Sequence, residues 1–244
     1  MSPISLPGPD AQCPLPGPPE NVWLRAVRNN PDHARGYAER WRRIEASGQD
    51  IHGEGRLVDA MAPRGAAILD AGCGSGRIGG YLARAGHRVT GVDLDEHLIE
   101  VAREDHPGAR WEVGNLAELD LRSPEQSSPD PSAPVQSGLD QRSPEQSAPE
   151  QAGRALFDLI VSAGNVMTFL AGSERRPALS RMREHLAEGG RIVLGFGLER
   201  GYELADFEAD VAASGLVVSQ RFAGWDLHPP EHDPGFLVAV LTRA

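Results

Sequence analysis

The segment Asp70-Ala71-Gly72-Cys73-Gly74-Ser75-Gly76 carries the densest concentration of residues suited to ligand chemistry. Glycines at alternate positions let a chain turn tightly and bring bare backbone against a ligand. Gly74, Gly76 and Gly79 also satisfy the Gly-x-Gly-x-x-Gly spacing of dinucleotide sites. The Asp70 carboxylate, however, stands where a pyrophosphate would approach, and like charges in a partly buried site repel. A cationic or zwitterionic ligand suits the loop better. Asp93, closing the next apolar run, can accept hydrogen bonds from both hydroxyls of a ribose; its local alternative is the turn Asp93-Leu94-Asp95. Asn115, in Gly114-Asn115-Leu116, offers a carboxamide to the edge of an adenine or simply makes a turn.

These residues fall where short apolar runs give way to helical periods. Residues 66–71 read as a buried strand, followed by the glycine turn and a helix ending before Gly86. Residues 88–93 are a second strand, and Asp95 can cap a helix with Leu98, Val101 and Ala102 on one face. Residues 109–113 make a weaker third strand and 157–163 a fourth. Ser173 is expected to cap a helix carrying Leu179, Met182 and Leu186, closed by Gly189 and Gly190. A fifth strand at 191–197, a helix at 203–214 and two final strands with no helix between them complete the chain. Apolar strands alternating with helices define an α/β fold, a doubly wound and mostly parallel sheet covered on both faces, with an antiparallel final pair. Ligands of such sheets sit beyond the carboxyl ends of the strands.

Four stretches, Ile68 to Gly79, Gly91 to Asp93, Gly114 to Leu121 and Phe157 to Leu170, resemble in order and spacing the successive motifs of class I S-adenosylmethionine-dependent methyltransferases of the small-molecule type. The resemblance implies a Rossmann-like seven-stranded sheet with the last strand reversed. It implies a cofactor, S-adenosyl-L-methionine, whose methionine part is held by Asp70, Gly72, Gly74 and Gly76 and whose ribose is held by Asp93. Leu94, Asn115, Leu116 and Ser162 complete the implied cofactor set, with Asn115 and Leu116 flanking the adenine. Position 115 is often aspartate in that family. Residues 162–165 would lie beside the transferable methyl group, and they lack the Asn/Asp-Pro-Pro-aromatic signature of enzymes that methylate base amino groups. Because a sulfonium already activates its methyl group, holding the acceptor in line is the main demand, and orientation of that kind supplies about 7 to 11 kcal/mol.

A general base would help a hydroxyl or ammonium acceptor. His228 and His232, in the turn from Trp225 to Asp233, are the candidates; an exposed polar loop is the plainer reading, and the prolines there disfavour a metal site. No metal is expected. Tyr37 and Trp41, four residues apart on a helix ahead of the sheet, share a face and are expected either to pack on the core or to form a lid. Asn165, Met167 and Phe169 would line an acceptor pocket or merely begin a helix.

Composition narrows the rest. All 24 basic residues are arginine, which excludes a lysine Schiff base and a phosphate-loop lysine. The net charge of −11 disfavours nucleic acid as main partner, although the six arginines between Arg25 and Arg43 face only Asp32 and Glu39. Cys13 and Cys73 cannot make a disulfide framework. No apolar run is long enough for a membrane span, and the first 19 residues, with seven prolines, lack a secretory pattern; the expected location is cytoplasmic. Residues 1–20 are expected to be a disordered tail and 21–244 one methyltransferase domain, with an N-terminal helical cap over 21–62. Residues 121–153 hold 18 Pro, Ser or Gln among 33 and repeat the hexamer RSPEQS at 122–127 and 142–147, the marks of a disordered low-complexity insertion. A small-molecule acceptor is the expected partner. An NAD(P)-dependent oxidoreductase and a non-catalytic S-adenosylmethionine-binding module stay open as alternatives.

Overall fold

The computed structural model describes residues 19–123, 153–230 and 235–244. The expected tail up to residue 18, the body of the insertion and His232 lie outside them. Seven strands form one sheet in the order β3-β2-β1-β4-β5-β7-β6: β1 (Ala67–Ala71), β2 (Arg88–Asp93), β3 (Arg110–Val113), β4 (Phe157–Ser162), β5 (Leu186–Gly197), β6 (Leu216–Phe222) and β7 (Phe236–Arg243). Only β7 runs against its neighbours, pairing Val193 with Val240 on one side and Phe222 with Val238 on the other. The helix-free end of the chain therefore has the predicted antiparallel pair.

Before β1 come α1 (Val22–Asn29), α2 (His33–Ala46) and α3 (Gly53–Met61). Between and after the strands lie α4 (Arg77–Arg84), α5 (Glu96–Asp105), α6 (Val166–Phe169), α7 (Gly172–Glu184) and α8 (Leu204–Ala213). Alternate residues of the central strands feed two cores. Leu69, Ile160 and Leu194 face a cluster with Leu179, Met182 and Phe207 from α7 and α8, while Ile68, Val161 and Val193 face Val58, Ile78 and Leu82 from α3 and α4. With both faces covered, β1 and β4 are largely apolar, Asp70, Asp158 and Ser162 being their polar members.

Two expectations fail around α7. Ser173 lies inside the helix, not at its cap; Ala171 precedes the helix, and the Glu174 carboxylate turns back to accept its N–H at 2.8 Å. The glutamate thus supplies the reciprocal half of a capping box, with alanine standing where a serine cap would. Gly189 and Gly190 do not end the helix either, because α7 stops at Glu184 before the fully buried His185, and the glycines fall within the irregular start of β5. The insertion is narrower than expected. Leu121 is buried in the core, and Ser123 N donates to Gly153 O and Ala155 N to Leu121 O, so an antiparallel stem clamps the two ends.

Candidate functional site

The end of β1, the glycine loop and the end of β2 form one hydrogen-bonded unit. Asp70, 1 % exposed, sits beneath the loop, and its Oδ2 accepts from Gly79 N at 2.8 Å. Asp93 stands at the mouth: Oδ2 accepts from Gly74 N at 2.8 Å and Oδ1 from Asp95 N at 3.0 Å. Each carboxylate oxygen has a second lone-pair direction, so both remain able to accept from a ligand. Burial pushes the Asp70 carboxyl up to about 7, with the Gly79 N–H and Arg77 opposing the rise, and burial also raises Asp93. A half-buried carboxyl at the mouth and a buried one beneath the loop favour a cationic occupant.

The glycines divide the work. Gly72 and Gly74 have φ of +80° and +55° and line a cleft, where a Cβ would press on Val166 and Tyr37 respectively. Gly76, by contrast, faces inward: a Cβ there would lie 2.9 Å from the Trp111 ring, which also fills the space beside Gly79 and Gly91. Trp111 of β3 is therefore the residue that demands small neighbours on α4 and β2, and its indole N–H donates to His106 O at 2.9 Å. Cys73 is buried against that ring, and burial pushes its thiol well above the usual range.

Tyr37, Trp23, Leu94, Leu98, Ala163, Gly164, Val166 and Phe169 complete the cleft wall, and about 50 Å3 of space remains among them. Of the two lid candidates only Tyr37 is there. Trp41 turns away under the Arg77 guanidinium, 4.4 Å from its ring centre, and borders a separate small cavity with Ser75 and His52. Trp23 packs edge-on to Tyr37, with ring centres 5.4 Å apart, and its indole N–H donates to Asp95 Oδ2 at 2.8 Å. The other Asp95 oxygen caps α5 by accepting from Leu98 N. Asn115 donates its amide to Glu174 Oε1 at 3.2 Å and accepts from Ala117 N, while Asn21 donates to Glu174 Oε2. Asp95 and Glu174 thus fasten the first helix of the cap, while Arg42 ties α2 to Glu104 and Asp105 and Arg77 ties α3 through Glu54. Leu116 is buried beside this junction, and the Ser162 hydroxyl is buried at the end of β4 with no hydrogen-bond partner among the described residues.

The remaining candidates disperse. Asn165 lines a second cavity beside the cleft, and Met167 points into the core with 1 % exposure. His228 is exposed on the β6–β7 connection, its Nε2 3.3 Å from Asp226 Oδ2, and lines neither cavity. The spacing of the sequence did not single out Trp23, Trp111 or Glu174. Asn21 ahead of a short apolar helix was the available cue to the first, since its side chain caps α1 by accepting from Trp23 N and Leu24 N.

A carboxylate-led glycine loop, an acid closing β2 and a sheet with only its last strand reversed define a nucleoside-binding fold of the Rossmann-like methyltransferase class. A family model described as a methyltransferase domain matches residues 69–192. The chain belongs to the S-adenosylmethionine-dependent methyltransferases. A TehB-like S-adenosylmethionine-dependent methyltransferase from Corynebacterium glutamicum is 46% identical, with a TM-score of 0.72 over 88% of this chain and 100% of that one. Among curated proteins, the malonyl-[acyl-carrier protein] O-methyltransferase of Pectobacterium atrosepticum is 33% identical over 102 residues, 42% of this chain and 39% of the relative. An S-adenosyl-L-methionine-dependent Diels-Alderase of Talaromyces variabilis is 51% identical over 51 residues, 20% of this chain and 18% of the relative. The chain thus spans well under half the length of these curated relatives.

Proposed function

We propose that this chain transfers the methyl group of S-adenosylmethionine to a small-molecule acceptor. One observation carries the reading: the Asp93 carboxylate, oriented by two backbone amides, shares a cleft with the exposed backbone of Gly72 and Gly74. The cofactor fits that set. Asp93 accepts from the ribose hydroxyls, Gly72 and Gly74 admit the methionine chain, and Asp70 beneath them contributes negative charge without touching solvent. Leu94 and Leu98 offer apolar walls to the base, with Asn115 and Leu116 at the rim. Bound there, S-adenosylmethionine supplies a methyl group already activated by its sulfonium. Tyr37, Trp23 and Phe169 exclude water, and α1 must release its Asp95 and Glu174 contacts and swing outward to admit a ligand of that size. The Ala163-Gly164-Asn165 turn then borders the space from which an acceptor approaches in line.

The dinucleotide alternative is weakened by the same geometry. The Gly79 N–H, in the first turn of α4, is already taken by the buried Asp70 carboxylate, which sets a negative charge beneath the helix end that a pyrophosphate would approach. The name of the Diels-Alderase relative keeps a second reading alive, use of S-adenosylmethionine without methyl transfer. Calorimetry with S-adenosylmethionine and NADH tests the first part: binding of the former alone is expected, and binding of NADH alone contradicts it. Labelled methyl appearing in an acceptor pool supports transfer, whereas tight binding with no transfer across the pool favours the second reading.

A further inference from the structure

Beside the cofactor cleft lies a second cavity of about 460 Å3, lined by Asn165, Gly197, Glu199, Arg200, Gly235 and Phe236. The two are one residue apart, since Ala163 and Gly164 line the cleft and Asn165 lines the cavity. Gly164 and Asn165 both have left-handed backbone, with φ of +70° and +68°. For a residue other than glycine that conformation is held against strain, and such residues gather at functional sites. The structure shows what holds it. Asn165 Oδ1 accepts from Gly197 N at 2.8 Å, tying the end of β4 to the end of β5. The Asn165 amide NH2 makes no hydrogen bond with any described residue and remains free to donate.

Arg200 follows on the turn that leaves β5. Its side chain lies along Gly197, where a Cβ would come 3.2 Å from Nε and 3.3 Å from Cδ. Gly197 has an ordinary backbone, φ −76° and ψ 129°, so the absent side chain serves space and not conformation. The guanidinium forms neither an ion pair nor a hydrogen bond with any described residue, unlike Arg77, which is paired with Glu54, and Arg176, which is paired with Asp210. Glu199, next to it and equally exposed, is likewise unpaired. One free cation, one free anion and one free amide therefore converge on a cavity adjoining the methyl-delivery turn, in a chain with a net charge of −11.

We infer that this cavity is the acceptor site and that it selects a small molecule carrying a single carboxylate together with a hydroxyl or ammonium donor. Arg200 and the Asn165 amide receive the carboxylate, a planar anion matched to the guanidinium fork, and Glu199 accepts from the donor. The carboxylate of Glu199 disfavours a doubly charged phosphate in the same space. The inference rests on the methyl-transfer reading, from which its test is separable.

The full-length chain is saturated with S-adenosylhomocysteine, and ligand-observed NMR measures the affinities of mandelate, mandelamide and phenyl phosphate. Mandelate is expected to bind about tenfold more tightly than the neutral mandelamide, and more tightly than phenyl phosphate. Arg200→Gln should shrink the first ratio to about twofold or less, and Arg200→Lys should restore part of it. Calorimetry in parallel should find S-adenosylhomocysteine affinity unchanged in both variants, because Arg200 does not line the cofactor cleft. Equal binding of mandelate and mandelamide, a preference that survives Arg200→Gln, or tighter phenyl phosphate overturns the inference. Failure of the wild type to bind S-adenosylhomocysteine would strike instead at the methyltransferase reading, and calorimetry alone reveals it.

Discussion

The carboxyl ends of β1 and β2 and those of β4 and β5 sit side by side, yet they treat their polar groups in opposite ways. At the first pair the acids, Asp70 buried and Asp93 half-buried, are already hydrogen-bonded, Asp70 to Gly79 and Asp93 to Gly74 and Asp95. At the second pair Glu199, Arg200 and the Asn165 amide reach a cavity with no partner among the described residues. A cofactor with constant chemistry is served by a preorganised crevice whose side chains cannot stray. A region that chooses an acceptor keeps its charges available, and on the reading proposed above the difference separates donor recognition from acceptor recognition along one sheet edge.

Removing the Asp93 carboxylate should break the donor side most severely. Asp93→Ala deletes the proposed ribose acceptor and strands the Gly74 and Asp95 amides; S-adenosylmethionine affinity by calorimetry should fall on the order of 100-fold, given roughly 1.5 to 3 kcal/mol per charged hydrogen bond. The acceptor side should be untouched, as judged by the mandelate preference. Loss of that preference in Asp93→Ala would blur the division drawn here.

Asp70 sharpens it through pH. Its folded pKa of about 7 lies above the ordinary 3.8, so the folded state binds the extra proton between those values. The associated stability is full below the unfolded value and is lost as pH rises through about 7. Asp70→Asn can still accept from Gly79 N and cannot ionise. Its melting temperature relative to wild type should therefore rise between about pH 5 and about pH 8, by a few degrees at the upper end. A difference that does not vary with pH would show that the buried carboxyl is not the titrating group. The same ionisation should make wild-type affinity for the sulfonium cation increase over that range.

The cap predicts a smaller effect. Trp23→Phe keeps the ring against Tyr37 and removes the bond to Asp95, so S-adenosylmethionine should dissociate several-fold faster, reflecting the loss of about 1 kcal/mol; stopped-flow fluorescence measures it, and an unchanged rate would mean the latch does not govern exchange. Smallest of all is excision of residues 124–152 with the stem joined by a Gly-Asn turn. Cofactor affinity should be unchanged and the melting temperature should not fall, because a shorter connection only lowers the entropy cost of closing the stem, whereas collapse of either would make the insertion structural.

The strand–loop–strand frame of the candidate donor site was legible because its information is local: an apolar strand, alternate glycines and an acid closing the next strand lie within one short stretch, and β2 spans the residues its apolar run marks out, Arg88–Asp93. The contacts that escaped notice join distant positions. Glu174 gathers Asn21 and Asn115 from separations of 153 and 59 residues, and Trp111 leaves no room for a side chain at Gly91 from another strand altogether. The same glutamate misled the reading of Ser173, because a side chain reaching back from within the helix leaves no cap residue to recognise. Trp41 shares a helix with Tyr37 but not its role, since a shared helix face does not say which side chain meets the glycine loop and which meets Arg77.

A crystal structure of the full chain with S-adenosylhomocysteine tests the central claim most directly. The ribose hydroxyls should lie within hydrogen-bond distance of both Asp93 oxygens, the amino-acid end over Gly72 and Gly74, and the sulfur toward the Gly164–Asn165 turn that opens on Arg200. Density for the nucleoside outside that cleft, or a sulfur directed away from the turn, would contradict the account.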